Sequence, residues 1–584
     1  MRLSTRASAC SCCVTMKITL CLILSLAALA TCGEENDRAA VESDVESSHV
    51  PAQSGTTIQL ADGTVKGSLK GDARSFIGIP YAAPPIAGRR WKPPAPVEPW
   101  ESVFDATGPG VMCIQSDPWD GPPQSEDCLT LNVYAPANAP KKPVPVMVWL
   151  YGGSNLSGSA DQTLGEGMPR SYDGSRLITG ERALVIVVIN YRLDTLGFLS
   201  HPALSAEQDG ASGNYGLMDQ QAALRWVQRN IAAFGGDPDN VTLFGESAGG
   251  FDVCFQQVAE GRKGLFHRVI MESGSCTQRV RTLREAEELG RKVAAANGCG
   301  GDTAEALECL RALPPEMTFE PVPEVESWVG AGIFTNPDPD ARWIWSGDDT
   351  GLLAVVDGKF LIEQPIAAIA AGRFERVPAI IGNNAREGAW FLSEGSNFSD
   401  EAQYAASLKA TYGELAARVL KQYPVADYAS ANDAAIEVAG DATFVCPAWT
   451  YAQLVSRHSD VYVYVYNWKR AADALTLFDG AFAGAGPMHA VELAWVWNWW
   501  KADEGALAEE LELAGKVADY WTAFAKHGDP NQKGLTVWPR YDADNDPELG
   551  IDLEPAAKKG RRTALCKFWN EIEVARWGGD WAVF

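Results

Sequence analysis

The chain has 584 residues, of which 46% are hydrophobic and 21% charged, and its 75 acidic against 49 basic side chains give a formal net charge of −26 at pH 7. That composition can bury a large core and excludes a disordered or fibrous chain. The acids are spread along the sequence, so the field of the protein repels nucleic acid and anionic membrane surfaces and favours neutral or cationic small molecules.

At the N-terminus, Arg2, Arg6 and Lys17 precede an apolar run over residues 18–30, too short for a spanning helix and typical of an export signal. Two starts are open, Met1 and Met16, since MKITLCLILSL is a complete signal start by itself. Two processing sites compete. Ala28-Leu29-Ala30 fits ordinary cleavage, whereas Leu29-Ala30-Thr31-Cys32-Gly33 resembles a bacterial lipobox with Cys32 as the lipidated residue. The expected organisation is a signal over 1–32, a polar flexible tether over 33–55 and one large domain over 56–584, because no linker, repeat or charge block cuts the remainder. The expected location is the bacterial cell envelope or the exterior, with membrane contact only through a lipid anchor at Cys32.

Further along, the apolar runs 144–150, 183–189, 241–244, 269–271, 379–381 and 461–466 read as strands, with helix-like stretches such as 217–233 between them. This alternation predicts an α/β fold with a large, mostly parallel sheet covered by helices on both faces. Ligands of such sheets bind at the carboxyl ends of the strands.

Residues 243–250, LFGESAGG, place one serine between two glycines directly after a strand. If a helix begins near Phe251, Ser247 stands at a sharp strand-to-helix corner, where only small residues fit two positions before and after it, as Gly245 and Gly249 do. The corner lifts the hydroxyl to a helix N-terminus, whose partial positive charge favours a developing oxyanion. Glycine-rich turns are also ordinary punctuation, so the motif needs a base, an acid and an oxyanion hole elsewhere.

The base can be sought by elimination among six histidines. His49 lies in the polar tail, His201 follows an apolar run before Pro202, His267 and His458 precede strands at the wrong end of the sheet, and His527 reads as the end of a helix ahead of Gly528. His489, in the small-residue loop GAGPMH beyond the strand 461–466, remains. For the acid, Glu387 follows the strand 379–381; the competing Asp357, in AVVDG, reads as a turn aspartate. The chain order Ser247, Glu387, His489 is that of α/β-hydrolases. The Gly-rich loop after the strand 144–150, with the N–H of Ala248, supplies backbone donors for an oxyanion.

Five of the thirteen cysteines (Cys10, Cys12, Cys13, Cys21 and Cys32) lie in or beside the signal, leaving eight in the body. An even number in an exported chain points to disulfides, and among these eight no C-x-x-C or Cys/His cluster points to a metal.

The motifs FGESAGG (244–250) and EDCLTLNVY (126–134) resemble the type-B carboxylesterases, the family of cholinesterases and bacterial para-nitrobenzyl esterases. So do FIGIPYA (76–82), NYR (190–192), GNYGLMDQ (213–220), FGGDP (234–238) and CKFWN (566–570), and the resemblance runs from about Thr57 to near the C-terminus. It implies the α/β-hydrolase fold, with Ser247 as nucleophile, Glu387 as acid, His489 as base and Gly153, Ser154 and Ala248 as oxyanion-hole residues. Ser154 departs from the family, which usually has glycine there. The resemblance also implies the disulfides Cys113–Cys128, Cys299–Cys309 and Cys446–Cys566, leaving Cys254 and Cys276, whose pairing stays open. The loop between Cys113 and Cys128 is shorter than in cholinesterases, so no dedicated choline site is expected, although Trp119 lies within it.

The implied activity is a serine carboxylesterase acting on a small-molecule ester, without cofactor or metal. A non-catalytic cholinesterase-like binding protein, a lipase and a detoxifying esterase or carbamate hydrolase are the alternatives. Trp343, Trp345, Trp390, Trp495, Trp497, Trp499 and Trp500 either line an aromatic cleft or pack the core.

Overall fold

The computed structural model describes residues 52–578, apart from 116–119, 164–169, 179–181, 317–353, 394–397, 399, 469–485, 500–506 and 561. Cys32 with the signal and most of the tether, His49, Trp119, Trp343, Trp345 and Trp500 lie outside the described residues. The described residues belong to one compact unit.

Eleven strands form the central sheet: β1 (Ser68–Lys70), β2 (Ala73–Pro80), β3 (Thr130–Pro136), β4 (Val144–Leu150), β5 (Val185–Ile189), β6 (Gly236–Glu246), β7 (Arg268–Glu272), β8 (Ala379–Asn384), β9 (Val461–Tyr466), β10 (Pro547–Ile551) and β11 (Ala556–Lys559). Their order is β1-β2-β3-β5-β4-β6-β7-β8-β9-β10-β11. All pairings from β5 across to β10 are parallel, and the flanking ones are antiparallel. Chemistry follows position. The central strands VPVMVWL and VIVVI are buried along their whole length, as strands covered on both faces must be. Both edge strands, SLK and AAKK, are exposed throughout and short, and their lysines discourage pairing with another chain.

The principal helices used below are α1 (Tyr215–Asn230), α2 (Ala248–Val258), α3 (Cys446–Val455), α4 (Ala508–His527) and α5 (Thr563–Trp577). The helix expected over 217–233 is α1 followed by a 3-10 turn, Ile231–Phe234, stopped by Gly235 at φ +96°. The strand expected at 241–244 extends to Glu246 and runs without a linker into α2, which begins at Ala248, ahead of Phe251. Trp495, Trp497 and Trp499 are buried, and the Trp497 ring packs on Trp149 at 5.2 Å and Phe244 at 5.8 Å. These three tryptophans are core residues.

Among the described residues, four disulfides are formed. Cys113–Cys128, Cys299–Cys309 and Cys446–Cys566 have the pairings the resemblance implies, and Cys254 pairs with Cys276. Among the described residues, no helix is long and apolar enough to cross a membrane.

Candidate active site

Four parallel strands deliver chemistry at one end of the sheet. β4 ends at Leu150, just before Gly152 and Gly153; β6 ends at Glu246, next to Ser247; β7 ends at Glu272, next to Ser273; and β8 ends at Asn384, three residues before Glu387. Parallel strands in register place all four carboxyl ends together, so residues far apart in sequence converge there.

Ser247 has φ 53° and ψ −125°, a conformation that costs an L-residue energy and is held by its surroundings. Its N–H donates to the Glu272 carbonyl at 2.9 Å, and its own carbonyl accepts from Phe251 N–H in the first turn of α2. A Cβ at Gly245 would meet the Gly249 backbone, and one at Gly249 would run into the Leu150 carbonyl. Both glycines are therefore steric requirements of the corner. Ser247 is half-buried, whereas His489 and Glu387 are buried.

The three residues singled out from the sequence form one hydrogen-bonded chain. Ser247 Oγ is 2.8 Å from His489 Nε2, and His489 Nδ1 is 2.6 Å from Glu387 Oε2. The other Glu387 oxygen accepts from the Ser273 hydroxyl at 2.6 Å and from the Asn384 N–H at 2.6 Å. The imidazole is packed between rings, with Phe444 at 4.5 Å and Phe391 at 5.1 Å. Such a chain can move the Ser247 proton onto Nε2 while the carboxylate holds Nδ1–H and offsets the charge.

The competing residues are placed elsewhere. Asp357 Oδ1 accepts from the N–H groups of Lys359, Phe360 and Leu361, as a turn aspartate does. His201 caps a short helix through Nδ1, His267 Nδ1 accepts from Val241 N–H, and His527 ends α4 ahead of Gly528 at φ +74°.

Three further carboxyl groups surround the chain, and sequence reading had not singled them out. Glu246 Oε1 is 3.2 Å from His489 Nε2. Glu492 is bonded to Asn384 Nδ2 and lies 3.3 Å from the Ser273 hydroxyl. Glu272 accepts from Trp521 Nε1 at 2.8 Å. Burial and then the charge of Glu387 push Glu492 up to about 8. Burial, followed by neighbouring carboxylates, raises Glu246 and Glu272 well above the usual range. Crowded acids in a dry site cannot all ionise. Those three therefore hold a proton more tightly than an ordinary carboxyl does. The local signals were available: Glu246 precedes the nucleophile, Glu272 ends a strand, and Glu492 lies three residues past the histidine.

The loop after β4 runs beside the corner. A Cβ on Gly152 would lie 3.0 Å from Ser247 Cβ. Gly153, Ser154 and Asn155 then follow with φ of +106°, +58° and +58°, and the Gly153 carbonyl accepts from Leu156 and Ser157 N–H groups. This is a tight turn, and Gly152 at its start lies against the serine.

Residues 54–569 match the model of the Carboxylesterase family. The chain is 33% identical over 518 residues to the para-nitrobenzyl esterase of Bacillus subtilis, covering 86% of this chain and 96% of that one. It is 34% identical over 547 residues to the pyrethroid hydrolase Ces2e of Rattus norvegicus, covering 87% and 88%, and 32% identical over 562 residues to the cocaine esterase of Homo sapiens, covering 87% and 88%. The solved structure of a PNB esterase superimposes with a TM-score of 0.73 at 31% identity, covering 88% of this chain and 99% of the other. The chain therefore belongs to the carboxylesterase family, has the α/β-hydrolase fold and is a carboxylic-ester hydrolase.

Proposed function

We propose that the protein is a serine carboxylesterase that hydrolyses small-molecule esters through an acyl-enzyme on Ser247. The observation that carries this reading is the continuous chain Ser247–His489–Glu387, with links of 2.8 and 2.6 Å. His489 Nε2 takes the proton of Ser247 as Oγ attacks the ester carbonyl, and Glu387 stabilises the imidazolium. The oxyanion is held by the N–H groups of Gly153, Ser154 and Ala248, the last at the N-terminus of α2. Collapse breaks the ester C–O bond, and His489 returns the proton to the departing alcohol. Water, deprotonated by the same imidazole, then attacks the acyl carbon, releasing the acid and restoring Ser247.

The names of two relatives, a pyrethroid hydrolase and a cocaine esterase, support neutral or cationic esters of some bulk as substrates, and the net charge of −26 agrees with that class. Four disulfides support an oxidising compartment. We place the mature chain outside the cytoplasm, with a lipid on Cys32 as the proposed anchor.

The test is hydrolysis of para-nitrophenyl esters from acetate to palmitate by a chain starting after Cys32, beside Ser247→Ala. Turnover peaking at short acyl chains and abolished in Ser247→Ala is the expected result. A peak at palmitate would make the protein a lipase. No turnover by the folded protein would overturn the hydrolase reading in favour of a binding protein.

A further inference from the structure

The oxyanion donors named above come from two separate pieces of chain: Gly153 and Ser154 lie in the loop after β4, and Ala248 begins α2. Their relative position must be set to a fraction of an ångström for the hole to grip a tetrahedral oxygen. The loop is not at rest by itself, since Ser154 and Asn155 are successive non-glycine residues in the left-handed region. Something must hold them there.

Asn155 is fully buried. Its carbonyl accepts from Asp194 N–H at 2.7 Å, and its Nδ2 donates to Asp252 Oδ1 at 3.0 Å. Asp252 stands in the second turn of α2, the helix that begins with the Ala248 N–H. Its Oδ2 accepts from Gln220 Nε2 at 2.5 Å, on α1. Gln220 Oε1 in turn accepts from Gln256 Nε2 at 3.1 Å, which also donates to the Leu217 carbonyl at 2.8 Å. One buried carboxyl thus ties the loop carrying two donors to the helix carrying the third, and it is braced from α1. Burial pushes this carboxyl up to about 7. A small apolar residue would occupy the position at lower cost to stability, and such local conflicts concentrate where geometry serves function.

We propose that Asp252, acting through Asn155, is a positioning residue that fixes the Gly153–Ser154 backbone relative to the Ala248 N–H. The inference rests on the hydrolase reading above. A hole grips the transition state rather than the bound ester, so its misplacement lowers kcat and leaves KM nearly unchanged.

The experiment compares wild type, Ser247→Ala, Asp252→Ala, Asp252→Asn, Asn155→Ala and the double Asp252→Ala/Asn155→Ala variant on para-nitrophenyl butyrate. Active serines are counted by labelling to completion with a fluorophosphonate, and unfolding midpoints are recorded. Expected for Asp252→Ala is a fall in kcat per labelled serine of about 10- to 100-fold, with KM changed by less than about twofold. Asn155→Ala should do the same, the double variant should be no worse than the poorer single one, and Asp252→Asn, which keeps an acceptor for Asn155, should recover most of the rate. Unchanged kcat per labelled serine in Asp252→Ala or Asn155→Ala, or losses that multiply in the double variant, would overturn the proposal, because a residue serving stability alone lowers the midpoint and the number of labelled serines. Should Asp252→Ala not fold, Asn155→Ala and Asp252→Asn decide by the same readout. Wild-type turnover that survives in Ser247→Ala would instead remove Ser247 as the nucleophile, and this inference with it.

Discussion

Ser273 donates its hydroxyl to Glu387 Oε1 at 2.6 Å, on the carboxylate oxygen opposite the one that holds His489. Glu387 is thereby gripped on both sides, and its orientation depends on a residue at the end of the neighbouring strand. Ser273→Ala leaves that buried oxygen with the Asn384 N–H as its 2.6 Å donor. Losing a hydrogen bond to a charged group costs about 1.5–3 kcal/mol. We expect kcat/KM to fall by roughly 10- to 100-fold, with active serines still titratable, as measured by steady-state kinetics normalised to labelled sites.

Glu387→Gln keeps the shape of the acid and removes its charge. The amide cannot offset the imidazolium and competes for the wrong tautomer of His489, so kcat should drop by about 10³–10⁴-fold. Folding should be retained, because a neutral group joins Glu246, Glu272 and Glu492 in place of a charge. Near-wild-type kcat in this variant would remove Glu387 from its assigned role.

Asp194 gives a prediction about pH. Its carboxyl is fully buried, and burial raises it from 3.8 to about 7. The raised value means that the folded protein keeps a proton that the unfolded chain releases. Its contribution to stability is therefore whole below about pH 4, declines as pH rises from about 4 to about 7, and stays at its lower level above that. Asp194→Asn removes the ionisation. Relative to wild type, the variant should gain on the order of 1 kcal/mol per pH unit across that window and then level off. Urea midpoints at intervals from pH 4 to 9 check the sign; a difference that does not change with pH would contradict it.

The Cys254–Cys276 bond closes a separation of 22 residues between α2 and the loop after β7, and both cysteines are fully buried. Replacing both by alanine should lower stability by about 3 kcal/mol in the chain-entropy account, read as a shift in the denaturant midpoint. With all eight body cysteines paired, alkylation of the unreduced, denatured chain starting after Cys32 should add no mass. Two labelled thiols would leave Cys254 and Cys276 unpaired.

The local chemistry of this protein was legible from its sequence. Gly245 and Gly249 around Ser247, between a strand and a helix, announce a corner because backbone sterics at that turn depend on neighbours within a few residues. The strands 144–150 and 461–466 were readable to the residue, since continuous β-branched and aromatic runs mark buried strands. His489 could be reached by elimination among six histidines, and its loop lay downstream of the last long apolar strand. Convergence was not local. Ser247 and His489 are separated by 242 positions, and His489 and Glu387 by 102; only the strand order β6-β7-β8-β9 brings the ends of the strands that precede them side by side. For the same reason the crowding of Glu246, Glu272 and Glu492 could not be read from their positions beside strand ends and His489, nor could the contact of Asp252 with Asn155. Sequence alone determined which residue types stand at each turn and strand end. Tertiary structure decided which of them share a dry, low-dielectric space, where burial and then neighbouring carboxylates strengthen the hold of an acid on its proton, and which one faces the histidine.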